Sequence, residues 1–255
     1  MAENSDEDPE PACPPPVWAV EIVDAARARV GQGVYPPSDD TFLLLEVLQE
    51  DAGKLRALKP TVCVELGCGS GAVSVGLWDV LTREGCPCFM LAIDKNPAAV
   101  MCTAELFQHF KLPLSGVVRA SMTQRLCHAE VDVVICNPPY VPTDEDEMKG
   151  FGISVSWAGG KRGREVIDML MPTVAMTLAP GGLFYLVCIA ENDPVEILAI
   201  GESLGLSAQT ARREQRGMEE LWILRFQREQ TLPPTLCSEE KELRLSRVVH
   251  GTSHN

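Results

Sequence analysis

The chain has 255 residues, a mass of 27.8 kDa and 45% hydrophobic side chains, enough to bury a sizeable core in one large domain or two small ones. Its 22 basic and 36 acidic residues leave a net charge of −14, which repels a phosphate backbone and disfavours nucleic acid as a direct partner. The longest apolar runs stop short of the roughly 18 residues of a membrane span, and the acidic, proline-rich opening lacks the basic and apolar regions of a secretory signal, so neither membrane insertion nor export is expected.

Residues 1–16 hold five acids, five prolines and no base, a composition that cannot bury enough apolar area to order itself. A disordered tail is expected there, and a flexible one over the similarly polar residues 229–255. The intervening residues 17–228 still carry −8, so the acidity belongs to the body of the protein as well. Of the ten cysteines most lie inside apolar segments or alone, and the one close pair, Cys86 and Cys88, has a single residue between and no histidine nearer than His109. That spacing fits neither a zinc site nor a disulfide framework, and a reducing compartment without a bound metal is expected.

The stretch Asp39–Leu58, which precedes the first expected strand, places apolar side chains at Phe42, Leu45, Leu48, Leu55 and Leu58 and reads as a helix. Strand-length apolar runs then alternate with segments of helical length. Strands are expected at Thr61–Leu66, Phe89–Asp94, Gly116–Arg119, Val131–Cys136, Gly182–Ala190 and Leu221–Phe226; helices at Val73–Thr82, Pro97–Phe110, Gly163–Leu178 and Asp193–Leu204. The alternation predicts βαβ units on a parallel sheet: one α/β domain over residues 17–228, with short helical additions at its N-terminus.

Two interruptions of this pattern carry chemistry. The strand ending at Leu66 breaks into Gly67, Gly69 and Gly71 where a helix should begin, letting a ligand lie against the backbone beside unpaired helix N–H groups. The same string satisfies a dinucleotide fingerprint, so the glycines alone leave the cofactor open between a nicotinamide dinucleotide and another nucleotide-like ligand. Glu65, at the end of that strand, and Asp94, at the end of the next, are candidates to contact it, Asp94 through a ribose; a helix cap is the alternative for each. The second interruption is Asn137-Pro138-Pro139-Tyr140, directly after the strand Val131–Cys136. Paired prolines fix where their carbonyls point, the Asn137 carboxamide oxygen and the Pro138 carbonyl can accept the two hydrogens of a planar –NH2, and the Tyr140 ring can stack on its π system.

Together, E-L-G-C-G-S-G at 65–71, Asp94 and N-P-P-Y at 137–140 resemble class I S-adenosylmethionine-dependent methyltransferases of amino groups. Further stretches, Tyr35-Pro-Pro-Ser-Asp-Asp-Thr-Phe-Leu-Leu-Leu45, Trp157-Ala-Gly-Gly160 with Gly163-Arg-Glu-Val-Ile-Asp168, and Gly181-Gly-Leu-Phe-Tyr-Leu-Val187, resemble the HemK branch that methylates a glutamine of class I translation release factors, in its eukaryotic form. The resemblance spans about residues 34–227 and implies a Rossmann-like, mostly parallel sheet of seven strands in the order 3-2-1-4-5-7-6 with helices on both faces. It implies S-adenosyl-L-methionine as cofactor, held by Thr41, Glu65, Gly67, Gly69, Gly71, Asp94 and Asn137, and a target amide held by Asn137, Pro138, Pro139 and Tyr140, of which Asn137, Pro138 and Tyr140 would be catalytic. It also implies a class I release factor as substrate, a small zinc-binding activator protein as heterodimer partner, and a cytoplasmic location extending to the nucleus. The strand order leaves the short apolar strand Gly116–Arg119 at an edge that could accept the partner, protection of that edge by its brevity and Arg119 being the competing expectation.

Two departures from the family stand out. The aspartate expected beside the adenine amino group is replaced by Ala120 or Ser121, leaving the Ser121 hydroxyl and backbone groups to that role, and Pro36 stands where eukaryotic relatives commonly carry glutamate. Because the methyl would leave an already activated sulfonium, orientation matters more than a strong base. A histone lysine, or adenine in DNA or RNA, is the alternative acceptor, and an oxidoreductase or a non-catalytic binding module the alternative class. The scattered histidines suit surface or tail positions. The acidic run Asp144–Glu147 could greet a basic partner segment, and Arg162 with Arg164 could clamp a substrate carboxylate; simple solvation of each charge is the competing expectation.

Overall fold

The computed structural model describes residues 16–31, 33–122, 130–143 and 158–230. Both expected tails apart from Pro16, Glu229 and Gln230, the acidic run at 144–147 and Trp157 lie outside them.

The elements follow in chain order as α1 (Val17–Arg27), α2 (Asp39–Glu50), α3 (Ala52–Leu58), β1 (Val62–Leu66), α4 (Ala72–Arg83), β2 (Phe89–Asp94), α5 (Pro97–His109), β3 (Ser115–Arg119), β4 (Val131–Cys136), α6 (Glu165–Thr177), β5 (Leu178–Ile189), α7 (Pro194–Ser203), β6 (Leu206–Arg216) and β7 (Glu219–Arg228). The strands form one seven-stranded sheet in the order 3-2-1-4-5-7-6. All neighbours run parallel except β7, which pairs antiparallel with β5 and with β6.

Strand periodicity explains why the central strands are apolar throughout. Cys63, Val133, Ile135, Tyr185 and Val187 join one buried cluster, while Val64, Leu66, Val134, Phe184 and Leu186 join another, so alternate residues fill the layers on opposite faces of the sheet. Helices α1 to α5 cover parts of the first layer, and α6 and α7 belong to the second.

The expected helix Asp39–Leu58 is two helices, divided at Asp51. That residue leaves helical geometry, and its buried carboxylate accepts hydrogen bonds from the Tyr185 hydroxyl (2.9 Å), Lys54 Nζ (2.5 Å) and Arg225. Burial pushes the carboxyl upward, but the bonds from Lys54, Arg225 and Tyr185 outweigh it and hold Asp51 below the usual carboxylate range. The break is thus fastened to β5 and β7, partners far away in sequence.

The strand absent from the sequence expectation is β6. Its segment, Leu-Ser-Ala-Gln-Thr-Ala-Arg-Arg-Glu-Gln-Arg, is polar because β6 is an edge strand and most of its residues are only half-buried or exposed. Arg213 pairs in register with Trp222 of β7 and stacks its guanidinium 4.7 Å from that ring. β5 also begins earlier than expected, at Leu178: the pairing of Val131 with Leu178 and of Val133 with Leu183 leaves extra residues on β5, an irregularity that accommodates Pro180-Gly181-Gly182.

Candidate active site

The carboxyl ends of β1, β2 and β4 meet the start of α2 around a cavity of about 610 Å³, within the range of small-molecule and cofactor sites. Its floor is the loop between β1 and α4. The N–H groups of Gly67 and Cys68 donate to the Ile93 carbonyl at 2.8 and 3.1 Å, bending the chain toward the end of β2. Gly69 has φ +51°, with no atom within 4 Å of where a Cβ would stand, so its open side faces the space left for a ligand. Gly71 differs: it is the N-cap of α4 at φ +81°, and a Cβ there would lie 2.9 Å from the Thr103 side chain, so it serves the packing of α5 and does not line the cavity.

Asp94 lines the cavity and is held in place by backbone donors. Its Oδ2 accepts from Gly69 N–H at 3.0 Å and its Oδ1 from Asn96 N–H at 2.8 Å. The cap of α5 is Asn96, which accepts from Ala98 N–H at 3.0 Å, so the alternative reading of Asp94 as that cap does not hold. For Glu65 the cap reading is correct in part. The side chain is buried and accepts from Ser74 N–H at 2.9 Å and from the Ser74 hydroxyl in the first turn of α4, yet it also lines the cavity. Burial pushes its carboxyl up to about 8, against the opposing hydrogen bonds from Ser74 and with the Asp94 charge adding to the rise.

Across the cavity the first turn of α2 presents Thr41, whose Oγ1 accepts from Ser38 N–H at 3.3 Å and donates to Asp40 Oδ1 at 3.2 Å. Asp40, which sequence reasoning did not single out, is the organising group of this wall. Buried to 4% exposure, it receives Thr41 N–H on Oδ1 (2.6 Å), and Asn137 Nδ2 (2.9 Å) and the Tyr140 hydroxyl (3.1 Å) on Oδ2. A carboxylate can only accept, so Asn137 must turn its NH2 toward Asp40 and its oxygen away. That oxygen is buried and has no hydrogen-bond partner among the described residues. Pro138, Pro139 and Tyr140 complete the same wall, and burial together with the adjoining Asp40 charge raises the Tyr140 hydroxyl far above its ordinary value, keeping it a neutral donor.

Neither Ala120 nor Ser121 lines the cavity; the next residue, Met122, does, with its Sδ 3.4 Å from where a Cβ on Gly67 would stand. Ala120 instead donates its N–H to the Asp94 carbonyl at 3.0 Å. Glu219, at the start of β7, reaches the wall from the far end of the chain; burial and the charges of Asp40, Glu191 and Asp39 raise its carboxyl. No sequence signal pointed to Glu219, because its approach depends on the unforeseen strand β6. The sequence signal for Asp40 is its place inside the family-like stretch Tyr35–Leu45, next to Thr41. Arg162 and Arg164 stand off the cavity, paired with Asp193 and Glu196, and with Asp168 and Glu196 respectively, so they form no clamp on its wall.

The open backbone at Gly69, the two acidic strand ends and the unpaired amide oxygen fit a bulky ligand carrying hydroxyl groups and positive charge beside an acceptor with polar hydrogens. A parallel sheet in which one antiparallel strand enters beside β5, bearing such a site on the ends of β1, β2 and β4, defines a class I methyltransferase. Comparison with known proteins narrows the class: residues 38–150 match the methyltransferase small domain. The human protein Methyltransferase HEMK2 is 41% identical over 207 residues, covering 78% of this chain and 94% of its own. The eRF1 methyltransferase catalytic subunit mtq2 of Schizosaccharomyces pombe is 33% identical over 218 residues, covering 81% and 94%. Among solved structures, the Mtq2–Trm112 complex of E. cuniculi, described as responsible for methylation of the eRF1 translation termination factor, matches with 25% identity and a TM-score of 0.55 over 77% of this chain and 99% of that one. This chain belongs to the HemK family of methyltransferases, in its eukaryotic branch.

Proposed function

We propose that the protein methylates the side-chain amide nitrogen of a glutamine in a class I translation release factor, using S-adenosylmethionine. The observation that carries this reading is the buried, unpaired Asn137 Oδ1, held in an accepting orientation by Asp40. An amide nitrogen is a poor nucleophile because its lone pair is delocalised. Oxygen acceptors on its hydrogens raise its electron density and stabilise the positive charge that develops as it reacts. Asn137 would take one hydrogen, the Pro138 carbonyl would take the other, and Tyr140 would border the planar group.

When bound, the cofactor supplies an activated methyl on a sulfonium. On this reading Glu65 and Asp94 hold its polar hydroxyls, Gly69 leaves room for its body and Thr41 closes the wall beside it. The relatives' names support the acceptor, since the fission yeast protein is an eRF1 methyltransferase subunit. One observation favours a lysine as second acceptor: Glu219 lines the cavity with no cationic side chain paired to it among the described residues, and would attract an ammonium.

We also propose a small zinc-binding protein as partner on β3. That strand pairs only with β2, leaving one edge free among the described residues, and Leu114 and Phe89 stand exposed at its near end. The E. cuniculi complex of Mtq2 with Trm112 supports a protein partner; its zinc and its seat on β3 rest on the family resemblance and the free edge. Action in the cytoplasm, extending to the nucleus, goes with such an acceptor. A methyl-transfer assay with labelled cofactor, offering eRF1, histone H4 and DNA side by side and locating the label by mass spectrometry, tests the whole reading; label on a glutamine of eRF1 is expected, and label confined to DNA would overturn it.

A further inference from the structure

We infer that Asn192, which is absent from the cavity wall, is a positioning residue for the methyl acceptor: it fixes the carbonyl of Tyr140 and thereby sets the loop that holds the target. The inference rests on the proposed role of residues 137–140 in cradling the acceptor.

Asn192 is fully buried in the short turn after β5. Every bond its carboxamide makes goes to backbone of a different segment. Nδ2 donates to the Tyr140 carbonyl at 2.7 Å and to the Arg162 carbonyl at 2.8 Å, while Oδ1 accepts from Ile189 N–H at 2.8 Å. One neutral amide therefore joins the substrate loop, the turn before α6 and the end of β5. Only a group with two donor hydrogens and an acceptor can do this, and a carboxylate in its place would face two carbonyl oxygens.

The surroundings are shaped to let the amide in. Gly163 has φ +67°, and a Cβ there would stand 1.8 Å from the Tyr140 carbonyl oxygen and 2.5 Å from Asn192 Nδ2. Arg164, itself buried, donates to the Asn192 backbone carbonyl at 2.9 Å and is ion-paired with Asp168 and Glu196. Tyr140 is consequently held at two points: its carbonyl by Asn192 and its hydroxyl by Asp40. Releasing the first point frees the peptide between Tyr140 and Val141 to turn and lets the stiff Pro138-Pro139 loop shift as a unit, taking its carbonyls out of register with the acceptor. The glycine loop after β1 and Asp94 at the end of β2 have no hydrogen bond to Asn192.

The test uses the full chain with Asn192→Asp and the milder Asn192→Ser. Single-turnover rates are measured with labelled S-adenosylmethionine on eRF1 or histone H4, whichever the wild type methylates, and expressed per cofactor-binding molecule from calorimetry on the same preparation. The expected result is a rate lowered about tenfold to a hundredfold, as for a misplaced reacting group, with cofactor Kd within about threefold of wild type and acceptor KM changed less than kcat. A rate within about twofold of wild type, a loss matched by an equal loss of cofactor affinity, or failure of both variants to fold would each overturn the inference. The wild-type rate on eRF1 reports on the proposed acceptor and the variant-to-wild-type ratio on Asn192, so the two can fail separately; a wild type inactive on both proteins removes both.

Discussion

Asp40 and Asn137, 97 residues apart in sequence, meet through a 2.9 Å hydrogen bond that determines which end of the Asn137 amide faces the cavity. Its energetic importance lies in what it excludes. With the carboxylate taking both Asn137 N–H and the Tyr140 hydroxyl, the amide cannot flip without setting oxygen against oxygen. Asn137→Ala should lower methyl transfer about a hundredfold, the scale for losing a preorganised polar contact to a reacting group. Asp40→Asn should lower it about tenfold or more, as for a lost charge-assisted bond. The second change should add little on the background of the first, because no amide then remains to orient. Full additivity of the two effects in kcat/KM would show that Asp40 acts by another route.

The glycines of the loop should separate by function. Gly69→Ala projects its methyl into open space and should weaken S-adenosylmethionine binding at least about tenfold, with about 1 kcal/mol lost from the left-handed backbone. Gly71→Ala meets Thr103 at 2.9 Å and should cost about 1–3 kcal/mol of stability, with cofactor affinity following only the folded fraction. Calorimetry paired with thermal melts distinguishes the two, and equal affinity losses at both positions would contradict the assignment.

Glu65 predicts a pH dependence whose sign follows from its raised carboxyl. Burial lifts it from 4.5 in the unfolded chain to about 8, so the native state holds the proton more tightly. The stabilising contribution is fully present below the unfolded value and is lost as pH rises through about 8. Glu65→Gln removes the titration, so the Tm of the wild type relative to this variant should fall between pH values near those limits. A constant difference across that window would mean the carboxylate is ionised throughout.

The edge at β3 gives a test of the partner. Leu114 is 54% exposed just before the strand, whereas Val117 packs against the core, so Leu114→Glu should weaken association without unfolding the chain. Co-purification with the activator and the Tm of the isolated subunit are the two measurements; a complex that survives the change intact would place the contact elsewhere.

How far the sequence could be read depended on where each residue's partners lie. The glycine turn, the paired prolines and the apolar strands are local chemistry, and β1 to β4 and the two loops stand where that chemistry puts them. The break at Asp51 is invisible locally, since a helical pattern continues across it and its cause is a bond to Tyr185 134 residues onward. β6 failed the apolar test because an edge strand needs little burial. Asp40 is locally one of two acids in the first turn of α2, and only the arrival of Asn137 and Tyr140 gives it a distinct task.

The insertion of β7 between β5 and β6 bears on the order of events during synthesis. β5 is almost wholly buried, yet the neighbour on its outer side, starting at Glu219, is the last of the described strands to leave the ribosome. Until then a long apolar strand stands with one row of amides and carbonyls unsatisfied, a template for pairing with another nascent chain. A chain halted before Glu219 would therefore be a sticky intermediate rather than a weakened enzyme, and chaperone demand should peak in the interval while β6 and β7 are being made.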